Sequence, residues 1–142
     1  MIEKRARDAY RRFRLLPTRW ADNDIYGHVN NAAYYGFFDT AVNSFLIEEA
    51  GLDIHDGAVV GLVVETGCNY FAALAYPETV EAGVRVARIG TSSVTYEIGL
   101  FRQGEDVPAA QGHFVHVYVD RGSRRPVGLP RTLRTALEAI HA

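Results

Sequence analysis

At 142 residues, 48% hydrophobic and 23% charged, the chain is sized for one domain with its own core and leaves no room for a second. A formal net charge of -2 gives no general reason to expect nucleic acid or an anionic membrane as a partner. No stretch approaches the roughly 20 apolar residues of a membrane span, the start Met1 to Arg5 lacks the apolar core of a signal peptide, and the single Cys68 cannot close an internal disulfide. These observations point to a soluble cytoplasmic protein in which Cys68 serves as a small buried hydrophobe.

In chain order, Arg5 to Arg14 alternates basic and aromatic residues, as expected of an N-terminal edge strand whose charges block unwanted pairing. Leu15 to Trp20 continues as strand, with Pro17 confined to an edge or bulge. From Asn30 to Ala50 the pattern becomes helical: Ala33, Phe37, Ala41 and Phe45 recur at four-residue spacing, widened by Tyr34, Phe38 and Leu46. Asn30 or Asn31 caps its start, Glu48 and Glu49 face solvent, and Gly51 stops it.

The remainder reads as strands. Ala58 to Glu65 is β-branched and short, and Cys68 to Ala75 continues it after a bulge at Gly67. Tyr76-Pro77-Glu78 turns the chain. Thr79 to Ile89 and Ser92 to Arg102 alternate apolar and polar residues, Gln103 to Asp106 forms a hairpin turn, and Ala109 to Val119 is the last long strand. A basic loop at Arg121 to Pro126 leads to a short amphipathic helix beginning at Pro130, with Leu133, Leu137 and Ile140 on one side. The expectation is an α+β fold: an antiparallel sheet of hairpin-connected strands with one long helix across it. Apolar residues on its second face favour self-association.

The polar groups gather between Asp22 and Asn31. A metal site is not supported, because His113 and His116, three apart on a strand, point to opposite faces, and His28 with Asp22 or Asp24 has no third ligand nearby in sequence. Serine-nucleophile, phosphate-loop and dinucleotide motifs are absent. Asp22 and Asp24 share one face of an extended backbone, Gly27 permits a sharp turn, and a helix N-terminus follows. A carboxylate beside free helix amides can attack an acyl carbon or activate water while the amides hold negative charge on oxygen. Alternatively, both acids merely cap the turn and pair with Arg19 or His28.

The run Asp22-Asn23-Asp24-Ile25-Tyr26-Gly27-His28-Val29-Asn30-Asn31, followed by Tyr34 and Phe37-Phe38-Asp39, resembles the signature of hotdog-fold acyl-CoA thioesterases of the 4-hydroxybenzoyl-CoA thioesterase type. Arg88-Ile89-Gly90-Thr91-Ser92-Ser93, Ala110-Gln111-Gly112, Val117 to Asp120 and Arg125-Pro126-Val127 extend the resemblance over nearly the whole chain, whereas Thr40 and Val42 depart from the charged residues frequent at their helix positions. The resemblance implies a hotdog fold, its sheet wrapped around one central helix, that hydrolyses an acyl-CoA thioester. In this reading Asp24 is the catalytic carboxylate, the backbone N–H near Asn31 polarises the thioester carbonyl, and His28 and Asn30 position the site. It further implies a homodimer or homotetramer in which Glu65, Thr66 and Gly67 of a partner face Asp24. Arg88, Arg124 and Arg125 are candidates for the CoA phosphates. Tyr26, Tyr34, Phe37 and Trp20 are candidates for an acyl or aryl pocket. No cofactor is implied beyond the CoA of the substrate. The alternatives are a hotdog hydratase or dehydratase using His28 with Asp24, and a non-catalytic acyl-CoA-binding protein.

Overall fold

A computed structural model describes residues 3–142. Its strands are β1 (Arg12–Pro17), β2 (Val59–Tyr70), β3 (Thr79–Ile89), β4 (Ser93–Arg102) and β5 (Ala110–Asp120); its helices are α1 (Asn31–Glu48) and α2 (Arg131–Ala139). The strands form one antiparallel sheet in the order β1-β3-β4-β5-β2.

Alternation decides which face is buried. Val80, Ala82, Val84 and Val86 of β3, Val94, Tyr96, Ile98 and Leu100 of β4, and Phe114 and Tyr118 of β5 all turn inward. Tyr34, Phe38, Ala41, Val42, Phe45 and Leu46 of α1 meet them, each large buried side chain contributing about 1.5–3 kcal/mol. The helix sits close because Gly112 has no side chain: a Cβ there would lie 2.3 Å from the Phe38 ring. Its end is as expected, with Gly51 at φ +66 and the Leu52 N–H bonded back to the Leu46 carbonyl. Leu133, Leu137 and Ile140 close the core from the chain's end.

Several expectations need correction. Residues 3–11 are not an edge strand: they cross the outer face of the sheet, with a 3-10 turn at Arg7–Ala9. Tyr10 lies over Gly83 and Gly99, while Arg5 and Arg7 pair with Glu97 and Glu81. The outward carboxylates of β3 and β4 therefore recruit the arginines that sequence alone assigns to an edge. Strand β1 ends at Pro17, and Trp20–Asp22 forms a second 3-10 turn instead of strand. In β2 the irregularity falls between Val63 and Glu65, not at Gly67, and the strand ends at Tyr70. Cys68 is half-buried in the chain, its thiol pushed up to about 11 by that burial.

The largest correction concerns connectivity. Only β3-β4-β5 are successive hairpin partners; β2 pairs with β5, at the opposite edge from β1. The segment 71–78 consequently crosses from one edge toward the other, anchored where Leu74 is buried and accepts the Val29 N–H at 2.7 Å. That crossing brings residues 71–73 to the start of α1.

Candidate active site

The loop before α1 is a tightly bonded hairpin. Asn23 bridges to Val29, the Asp24 N–H donates to the His28 carbonyl at 3.0 Å, and the Gly27 N–H donates to the Asp24 carbonyl at 3.1 Å. Gly27 makes this possible with φ +88, a conformation costly to other residues. Asp22 and Asp24 do not share a face, because the 3-10 turn rotates Asp22 into the interior. There its carboxylate accepts the Arg19 N–H and guanidinium, both at 2.8 Å. Burial pushes the Asp22 carboxyl up, but the bonds and charge of Arg19 outweigh it and hold the group below its ordinary range. Asp22 is structural, as the alternative reading of the sequence allowed.

Asp24 differs. Half-buried, it accepts the Tyr26 N–H at 2.9 Å through Oδ1, and Oδ2 stands 3.5 Å from Nδ2 of Asn30. A carboxylate has about four acceptor positions, so capacity remains for a substrate or water. Asn30 is the N-cap: its Oδ1 accepts the Ala32 N–H at 2.9 Å, and its carbonyl accepts the Ala33 N–H. The Asn31 N–H has no acceptor among the described residues and is left as a free donor at the positive end of the helix.

Asp24, Tyr26, His28, Asn30, Asn31 and Tyr34 line one cavity of about 580 Å³. Tyr34 forms its buried base, and the rings of Tyr26 and His28 stack at 6.4 Å. The imidazole of His28 makes no hydrogen bond to Asp24, so only the His28 backbone supports that residue. Such a cavity can bring an electrophilic carbon to a carboxylate while an N–H receives the developing charge on oxygen.

Tyr70, Phe71, Ala72 and Ala73 complete the lining and were not identified from sequence. The Tyr70 ring meets Tyr34 at 4.9 Å, and its hydroxyl donates to the Asn31 carbonyl at 3.4 Å. No local pattern marks these residues, which lie 46 to 49 positions beyond Asp24 and arrive through the crossing segment.

Other candidates lie elsewhere. Trp20 is 77% exposed against Tyr76, and Phe37 lines a separate groove with Arg19, Asp22 and Thr40. Glu65, Thr66 and Gly67 lie outside the cavity on edge strand β2, where Glu65 meets His113 at 2.8 Å. Arg88, Arg124 and Arg125 lie toward the opposite end of the sheet from Tyr70, as the strand register requires. His113 and His116 take opposite faces as expected; His116 is buried beside the Tyr118 hydroxyl, and burial brings it down to about 4.

Residues 18–137 match the family model of the thioesterase-like superfamily. Among solved structures, the PA5185 protein of Pseudomonas aeruginosa strain PAO1 is 55% identical over 99% of this chain and 98% of that one, with a TM-score of 0.97. The PA2801 protein of Pseudomonas aeruginosa is 29% identical over 88% of this chain and 96% of that one, at TM-score 0.81. A gentisyl-coenzyme A thioesterase, BH1999, is 23% identical over 89% and 99% respectively at TM-score 0.78, a likeness of fold. No curated protein matches the chain.

Proposed function

The chain belongs to the thioesterase-like superfamily, and from that premise we propose that it hydrolyses an acyl-CoA thioester to free acid and CoA, with Asp24 as the catalytic carboxylate. Thioester hydrolysis follows from the family; the acyl-CoA substrate and the role of Asp24 are our reading. The observation that carries it is the meeting, on one cavity, of a half-buried carboxylate with acceptor capacity and the unpaired Asn31 N–H.

The Asn31 N–H would receive the thioester carbonyl oxygen and hold its charge as the carbon becomes tetrahedral. Asp24 would then act in one of two ways. As general base it takes a proton from water, whose oxygen attacks the carbon; as nucleophile it attacks directly, and water hydrolyses the resulting anhydride. In both routes the C–S bond breaks and CoA leaves as the thiol after gaining a proton. Asn30 positions the pair, and Tyr26, Tyr34 and Tyr70 flank the acyl group.

We also assign a dimer. Edge strand β2 exposes Leu62, Val63 and Val64, an apolar edge suited to a second copy. Antiparallel pairing of two β2 strands would carry Glu65, Thr66 and Gly67 of one chain toward the other's cavity. The same pairing would bring the partner's Arg124–Arg125 loop to the Tyr70 end. A reducing cytoplasm suits the single cysteine, and among the described residues no helix is long and apolar enough to cross a membrane.

The test is thiol release from a panel of short, long and aromatic acyl-CoA esters, with wild type beside Asp24→Asn. Loss of about a hundredfold or more in kcat/KM is expected. Equal release by both proteins would overturn the role of Asp24, and CoA binding without turnover would make the chain a binding protein.

A further inference from the structure

The cavity that would receive an acyl-CoA carries a carboxylate, and none of its lining residues is lysine or arginine. Its ligand is highly anionic, and the three arginines first considered lie toward the far end of the chain's own sheet. The N-terminal crossing segment brings a different cation to this place. Gln111, at the start of β5, grips the backbone on both sides of Lys4: its Nε2 donates to the Glu3 carbonyl at 2.6 Å, and its Oε1 accepts the Arg5 N–H at 2.9 Å. Two bonds from one side chain, one to each neighbour, fix the direction of the residue between them. The Lys4 ammonium thereby stands over the Phe71 ring, 4.9 Å from its centroid, and Phe71 lines the cavity.

Pairing and position together set Lys4 apart: Arg11 also has no ion pair among the described residues, but it is bonded through its backbone to Val84 of β3, whereas Lys4 meets Phe71 of the cavity. Arg5, Arg7, Arg12 and Arg14 are each matched to a glutamate. Lys4 has no carboxylate within ion-pair distance among the described residues, and its side chain is exposed. Resting an ammonium on an aromatic face leaves its outward N–H groups available to an anion.

We propose that Lys4, held at the cavity rim by Gln111 and Phe71, binds a phosphate of the CoA portion of the substrate. This rests on the acyl-CoA reading above. It makes residues 3–5 part of the substrate site as well as a cover for the sheet.

The experiment compares wild type, Lys4→Gln and Lys4→Arg on two thioesters of the same acyl group: the CoA ester and the N-acetylcysteamine ester, which has no phosphate. Lys4→Gln should raise KM about fivefold for the CoA ester, as loss of an exposed ion pair allows. It should leave KM for the N-acetylcysteamine ester and both kcat values unchanged, and Lys4→Arg should restore the CoA value. Calorimetric binding of free CoA should weaken by the same factor in Lys4→Gln, and this arm requires no turnover. Equal change on both esters, or unchanged CoA binding, would overturn the proposal. If wild type binds CoA with the Lys4 dependence but releases no thiol, the hydrolytic reading fails and the phosphate contact stands.

Discussion

Asn30 joins the carboxylate of Asp24 to the start of α1: its Nδ2 stands 3.5 Å from Oδ2 of Asp24, while its Oδ1 caps the helix through the Ala32 N–H. One side chain thus sets the distance between the proposed catalytic carboxylate and the free amide of Asn31. Helix stability and site geometry are coupled at this residue, and substitutions can separate them.

Asn30→Ser retains a capping oxygen but loses the amide donor. It is expected to melt close to wild type while kcat/KM falls about tenfold, as for loss of a hydrogen bond to a charged group. Asn30→Ala should lose the activity and, in addition, about 1 kcal/mol of stability. Thermal melts and thiol-release kinetics on the two variants check this. Full activity in the serine variant would show that Asp24 needs no positioning by Asn30.

At Gly27 the obstacle to substitution is the backbone alone. A Cβ there meets nothing within 4 Å, yet φ is +88. Gly27→Ala should cost about 1–2 kcal/mol and lower activity by displacing Asp24 from the helix start. Gly27→Asn should cost less, since asparagine tolerates left-handed backbone better. Denaturant midpoints for the two variants decide the order.

Gly112 presents the opposite case, ordinary backbone with no space. A methyl group there would approach Phe38 to 2.3 Å and the Gly67 carbonyl to 2.6 Å. Gly112→Ala is expected to destabilise by about 1–3 kcal/mol through overpacking, measured by urea unfolding, with β2 and α1 the elements forced apart.

Asp22 should leave its mark on the acid side of the stability curve. Its folded carboxyl lies below the ordinary range, because Arg19 outweighs the upward effect of burial. Such a group stabilises the fold above its unfolded value of about 3.9 and loses that contribution as pH falls through the lower folded value. Asp22→Asn should therefore lower Tm near neutral pH and narrow its gap to wild type under acid. A gap that stays constant with pH would mean that the Asp22 charge contributes nothing.

In solution the chain should sediment at twice 15.8 kDa or a higher even multiple. Val64→Lys, at a position 60% exposed on edge strand β2, should shift it toward the monomer with its far-UV spectrum intact. If the cavity is completed across that edge, kcat/KM falls with the dimer fraction. An active monomer would remove Glu65, Thr66 and Gly67 of the partner from the site.

Local pattern was sufficient for what local forces decide. Period-two alternation marked β3, β4 and β5, a four-residue stripe marked α1, and the density of polar groups around Gly27 marked Asp24, Asn30 and Asn31 as one cluster. What it could not supply depends on contacts between distant residues. Tyr70 to Ala73 reach the cavity because β2 pairs with β5 at the edge opposite β1, leaving segment 71–78 to cross the start of α1. Asp22 leaves the cluster because a 3-10 turn, closed by Arg19, rotates it inward. Lys4 comes to the cavity rim only because Gln111, more than a hundred residues later, holds its neighbours. Side-chain periodicity reports which face of an element is apolar, whereas the partner across that face is set by strand order, which depends on packing over the whole chain.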